Sequence, residues 1–268
     1  MHKQVMAVSL FVAALAGCST HPVPNSEPGA PGSAGPVGSV GASAEPAAVD
    51  PCSGVDRCHE VARVDIDGDG TLDRVGVSIY QAPAPPQVVV GEATITVLAA
   101  VGPNVRRIEV SSPGVLPTAQ DGSPQPFVGA YRISRKAGAD LVFHTEEGHG
   151  DAERFAVIGW QDGRLARVPR PPEDASRPVS STWFIGSSHG THEWVTCADG
   201  ASVTMNKLSA PTAEGIPLPG GGIRQEDDFI FAGGNWSPNG SRNINDENFS
   251  YDFNPHTQTF QCQDQAEH

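Results

Sequence analysis

Residues 60–80 read EVARVDIDGDGTLDRVGVSIY. Apolar residues on the two flanks recur at every second position: Val61 before the acidic centre, then Val75, Val77 and Ile79 after it. A period of two lines one face of a strand, whereas a helix would bring its apolar residues round every three or four positions. The stretch therefore predicts strand, acidic loop, strand.

The same pattern extends outward. VVVGEATITVLAAV, DLVFHTE, RFAVIGW, ASVTMNKL, DFIFAGG and NFSYDFN are rich in Val, Ile, Thr and aromatic residues and predict further strands. Breakers separate them: QAPAPPQ, SSPGVLPTAQDGSPQP, RPPEDASRP and APTAEGIPLPGGG. QDGRL predicts a tight hairpin turn, and NPHTQ a joint between the last two strands. Ala and Gly near 137–139 suggest a single helical turn, and nothing longer than about ten residues carries a helical face. The expectation is an all-β domain over residues 51–268, a sandwich or open barrel of antiparallel strands. No internal repeat supports a propeller.

Within the acidic loop, Asp65, Asp67, Asp69 and Asp73 take positions 1, 3, 5 and 9, Gly70 position 6 and Thr71 position 7. Alternate residues of a tight coil turn inward, so these carboxylates and the Thr71 carbonyl can converge on one cation. Without one the arrangement is costly: two unit charges about 4 Å apart repel by about 4 kcal/mol at an effective dielectric of 20. Oxygen donors without imidazole suit a hard ion, calcium first; a solvated acidic hairpin or another metal is the alternative. Position 12 is Gly76, where an EF-hand needs a bidentate glutamate, and the flanks are strands. The DxDxDGxxD pattern between strands resembles the calcium loops of FG-GAP and VCBS-type repeats, found in integrin-like propellers and many exported bacterial proteins. The resemblance covers about residues 61–80, in one copy. It implies a calcium site at Asp65, Asp67, Asp69, Thr71 and Asp73, with a structural role.

The chain opens MHKQVMAVSLFVAALAGCST, a charged start and an apolar run from Val5 to Leu15. That run is shorter than the about 20 residues a bilayer span needs, and fits an export signal over residues 1–17. LAGC resembles the bacterial lipoprotein signal. The resemblance implies that Cys18 is lipidated and becomes the new N-terminus, anchored by more than one acyl chain. The small-residue composition and the LAGCS start resemble lipoproteins of actinobacteria. Residues 18–50, rich in Pro, Gly, Ala and Ser, cannot bury enough apolar surface to fold, and predict a disordered tether with a reach of roughly 30 Å. The expected location is the outer face of the cell membrane.

Four more cysteines, Cys52, Cys58, Cys197 and Cys262, suit disulfides on the oxidising side of a membrane. Three pairings exist. Cys52–Cys58 is favoured because it closes a short loop, and Cys197–Cys262 because it ties the last strand to an earlier one; buried thiols are the alternative. The formal net charge of -14 excludes nucleic acid and disfavours anionic lipid headgroups. Cations, neutral envelope glycans and other proteins remain as partners.

Other clusters are weaker. FHTEEGHGDAERF holds His144, Glu146, Glu147, His149, Asp151 and Glu153, and reads first as a polar hairpin turn around Gly148 and Gly150. SSHGTHEWVTC, with His189, His192 and Glu193, reads as a loop. A metal or acid/base site would follow only if His144, His149, His189 and His192 met in space. There is no GxSxG, and PLPGGGIRQEDD lacks a phosphate-loop lysine and reads as a surface turn. Trp160, Trp183, Trp194 and Trp236 belong by default to the core. GGNWSPNGSRNINDENFSYDFN reads as a long surface loop whose amides suit a glycan or peptide. No catalytic residue is assigned. The expectation is a binding or structural module, with a metal-dependent or acid/base hydrolase of envelope polymers as the alternative.

Overall fold

The computed structural model describes residues 49–267 apart from 84–91, 148–151, 174–179, 189, 199, 214–215, 218–220 and 247–258. The signal segment, Cys18, nearly all of the tether, His149, His189, Asp151, NFSYDFN and NPHTQ therefore lie outside the described residues. Among those described there is no α-helix, and sixteen strands follow in order. They are β1 Cys58–Val64, β2 Asp73–Gln81, β3 Ala93–Val101, β4 Asn104–Ser112, β5 Phe127–Tyr131, β6 Asp140–Glu147, β7 Ala152–Gln161 and β8 Arg164–Val168. The second half comprises β9 Trp183–Ser188, β10 Thr191–Cys197, β11 Ser202–Ser209, β12 Thr212–Ala213, β13 Ile216–Pro217, β14 Gly222–Ala232, β15 Asn235–Asp246 and β16 Phe260–Gln261.

β1 to β4 form a four-stranded meander. The larger, ten-stranded sheet runs β15-β14-β11-β10-β9-β7-β6-β5, with β8 added to β7 and β16 to β10. Neither sheet closes into a barrel. All pairs are antiparallel except β10 with β16. The architecture is thus an antiparallel β-sandwich, as the alternation predicts.

Two cores hold it together. In the first, Val64, Val75, Val77, Ile95 and Val97 of the meander meet Leu141, Phe143, Ala156 and Ile158 of the large sheet. In the second, the opposite faces of β6 and β7, through Val142, Phe155 and Val157, pack with Trp183, Ile185, Val195, Val203, Phe229 and Phe260. Each fully buried Val, Leu, Ile or Phe contributes about 1.5–3 kcal/mol. β6 and β7 are therefore apolar on both faces, which explains why LVF and FAVI run continuously.

Both disulfides have the favoured pairing, Cys52–Cys58 and Cys197–Cys262. The first lies on Gly76 of β2, where a Cβ would come 2.7 Å from Cys52 Sγ. The second joins the end of β10 to the residue after β16.

Four readings are corrected. Within SSHGTHEWVTC, β9 and β10 pair antiparallel, with Ser188 opposite Thr191 and Ser187 opposite His192. The GGG segment is not all surface turn, because β14 begins at Gly222. GGNWSPNGSRNIND is a strand: β15 pairs along its length with β14, and Gly233 and Gly234 (φ 59° and 83°) make the two-residue turn between Ala232 and Asn235. The polar composition of β15 disguises it, because an edge strand needs a paired neighbour more than an apolar face. The single helical turn near 137–139 is instead a bend. QDGRL is the expected hairpin, with Asp162 and Gly163 both at positive φ (49° and 76°).

Candidate metal centre

The loop between β1 and β2 is built from its own side chains. Asp65 Oδ1 accepts from the Gly68 N–H at 2.7 Å and Oδ2 from the Gly70 N–H at 3.0 Å. Asp67 Oδ1 accepts from the Asp69 N–H at 3.1 Å, and Asp69 Oδ1 from the Thr71 N–H at 2.7 Å. Asp73 Oδ2 accepts from the buried Ile66 N–H at 3.0 Å. Gly68 and Gly70 sit at φ 87° and 88°, a left-handed coil that residues with a Cβ resist.

This coil is docked on the bend that leads into β6. The Ala139 N–H donates to Asp65 O at 2.8 Å, and Arg135 Nη2 donates to Ile66 O and, at 3.2 Å, to Ala139 O. A Cβ on Gly138 would lie 2.7 Å from Ile66 O. Asp140, fully buried, braces the bend by accepting from the Ser134 N–H at 2.6 Å and the Ser134 hydroxyl at 2.8 Å.

Asp65, Asp67 and Asp73 present carboxylate oxygens that all lie within 4.8 Å of one another. Calcium–oxygen distances are about 2.3–2.6 Å, so oxygens opposite one another across an ion lie about 5 Å apart, and this triad can hold a metal ion. Burial pushes the Asp73 carboxyl up to about 6, and the charges of Asp67, Asp69 and Asp65 push it the same way. A cation at the centre of the group would oppose that shift. Of the four carboxylates expected from sequence, Asp65, Asp67 and Asp73 converge, while Asp69 and Thr71 are exposed. Sequence spacing finds the carboxylates but gives no sign of Arg135 and Gly138, which fix the loop from far along the chain.

Of the four candidate histidines, the two among the described residues, His144 and His192, are not brought together. His144 stacks on Phe155 with ring centroids 4.8 Å apart, and its Nε2 donates to Glu146 O at 3.0 Å. His192 stacks on Trp194 at 5.2 Å. His144 pairs with Phe155 and Phe155 with Trp183, whereas His192 pairs with Ser187, four residues further along β9. Four residues of strand and three strand spacings each amount to about 13–14 Å, far beyond a shared ligand sphere. Trp183, Trp194 and Trp236 are buried, and Trp160 packs against the first core. Trp236 is buried and its indole N–H donates to Pro169 O at 2.6 Å, so its ring face offers no exposed stacking platform.

Comparison of the chain with family models, with curated proteins and with solved structures finds no significant match.

Proposed function

We propose that the protein is a lipid-anchored component of the cell envelope, whose β domain is stabilised by calcium and serves at the outer face of the membrane as a binding or structural module. The observation that carries the reading is the convergence of Asp65, Asp67 and Asp73. Carboxylate oxygens without thiolate or imidazole favour calcium over zinc or copper. The loop joins two strands of the meander and is bonded to the bend before β6, so an ion there stiffens the junction between the two sheets. That argues for a structural role. Two disulfides suit an oxidising compartment. The LAGC motif at Cys18 supplies the anchor, and membrane attachment places the module among envelope glycans and proteins.

A thermal melt of residues 46–268, first chelated and then with calcium restored, tests the ion site. Saturation to 100 times Kd contributes about 2.7 kcal/mol, a rise in Tm of roughly 5–10 °C for a domain of this size. Asp67→Asn should abolish the rise. A calcium-insensitive Tm would overturn the reading. For the anchor, wild-type chain should fractionate with membranes and Cys18→Ala should not.

A further inference from the structure

A cavity of about 630 Å³ lies at the end of the sandwich, between the start of β1, the end of β2 and the loop 117–125. Its walls come from paired strands and a small hairpin. Ile79 continues the core-facing row of Val75 and Val77, and His59 stands opposite Val77 on the same face. The loop 117–125 is a small hairpin, with the Ala119 N–H donating to Ser123 O and the Gln125 N–H to Pro117 O, both at 2.8 Å. Asp121 turns its carboxylate inward on that loop, accepting from the Ser123 N–H at 2.9 Å and the Ser123 hydroxyl at 2.6 Å.

The lining is unusual for this chain. Acidic residues outnumber Lys and Arg by 31 to 17, yet among the described residues the cavity is lined by Arg57 and His59 and by no carboxylate. Arg57 also holds a left-handed backbone, φ 55°, which a residue with a Cβ adopts at a cost. It sits in the disulfide-closed loop Cys52–Cys58, immediately before β1. By contrast, the cavity of about 320 Å³ near β11 and β14 has its cations already paired, Arg170 with Glu173 and Glu193, and Lys207 with Glu193.

We infer that the larger cavity is a binding site for a small organic anion, a carboxylate with a short aliphatic body. The guanidinium fork of Arg57 matches a carboxylate through two parallel hydrogen bonds, and His59 and Gln125 line the same cavity. The aliphatic body lies against Ile79, Ala119 and Pro124. The volume falls within the range of ligand sites, about 300–1,000 Å³. This site is independent of the acidic loop.

Isothermal titration of the full chain with hexanoate tests it, with hexanol as the body without the charge and inorganic phosphate as the charge without the body. Saturable one-site binding of hexanoate is expected, weakened at least about tenfold by Arg57→Gly. Glycine accepts the left-handed backbone, so that variant should keep or raise Tm. Ala119→Phe, which fills the cavity and leaves both cations, should also remove binding. Absence of saturable binding, or an unchanged affinity in Arg57→Gly, overturns the inference. Binding of hexanol or phosphate as tight as that of hexanoate overturns the ligand class.

Discussion

His192 shows how burial becomes a pH dependence. It is 5% exposed, and burial pushes its pKa down from 6.5 to about 4. Between those values the unfolded chain binds a proton that the folded chain excludes, so stability rises with pH across this window. Its contribution is complete above pH 6.5. It is lost progressively as pH falls toward 4, by up to about 3 kcal/mol. Asp73 works in the opposite direction, because its raised pKa lets the folded chain take up a proton first. Melts of wild type and His192→Gln across pH 4–7 separate the two: the stability difference between them should shift toward the variant on acidification. A difference that stays flat with pH would contradict the burial argument.

At the scale of elements, short turns decide pairing and distant contacts decide docking. β16 has only two residues and pairs parallel with β10 through Val195 with Phe260 and Thr196 with Gln261. So short a strand depends on the Cys197–Cys262 bond and on Phe260, which packs against Phe155 at 5.3 Å. The bond closes a loop with a sequence separation of 65, and its removal should cost about 2–5 kcal/mol. Denaturant titration of the double variant Cys197→Ser, Cys262→Ser checks this, and native-state hydrogen exchange should show the protection lost first around residues 259–262.

Across the whole molecule, β6 and β7 belong to both cores, so neither core can open alone. Ile95→Ala in the first and Val203→Ala in the second should each lower one shared transition, Ile95→Ala by about 2–5 kcal/mol. Tryptophan fluorescence reports on packing in both cores, Trp160 in the first and Trp183 and Trp236 in the second, while far-UV circular dichroism reports on the sheets themselves. The two probes should melt together in both variants. Separate transitions would show that the shared strands do not couple the cores.

The local chemistry of this chain determined much by itself. Alternation at Val75, Val77 and Ile79 fixes a strand because side chains of a strand point to opposite faces. DIDGDGTLD fixes a turn rich in carboxylates, since its glycines and aspartates satisfy their own backbone. Tertiary structure alone decided that β6 and β7 are buried on both faces, that the polar segment 235–246 is a strand, and that His144 and His192 lie apart. It also decided that the acidic coil is clamped by Arg135 and Gly138. Those outcomes depend on which surfaces meet across long loops, and a residue carries no local mark of a partner some seventy positions away.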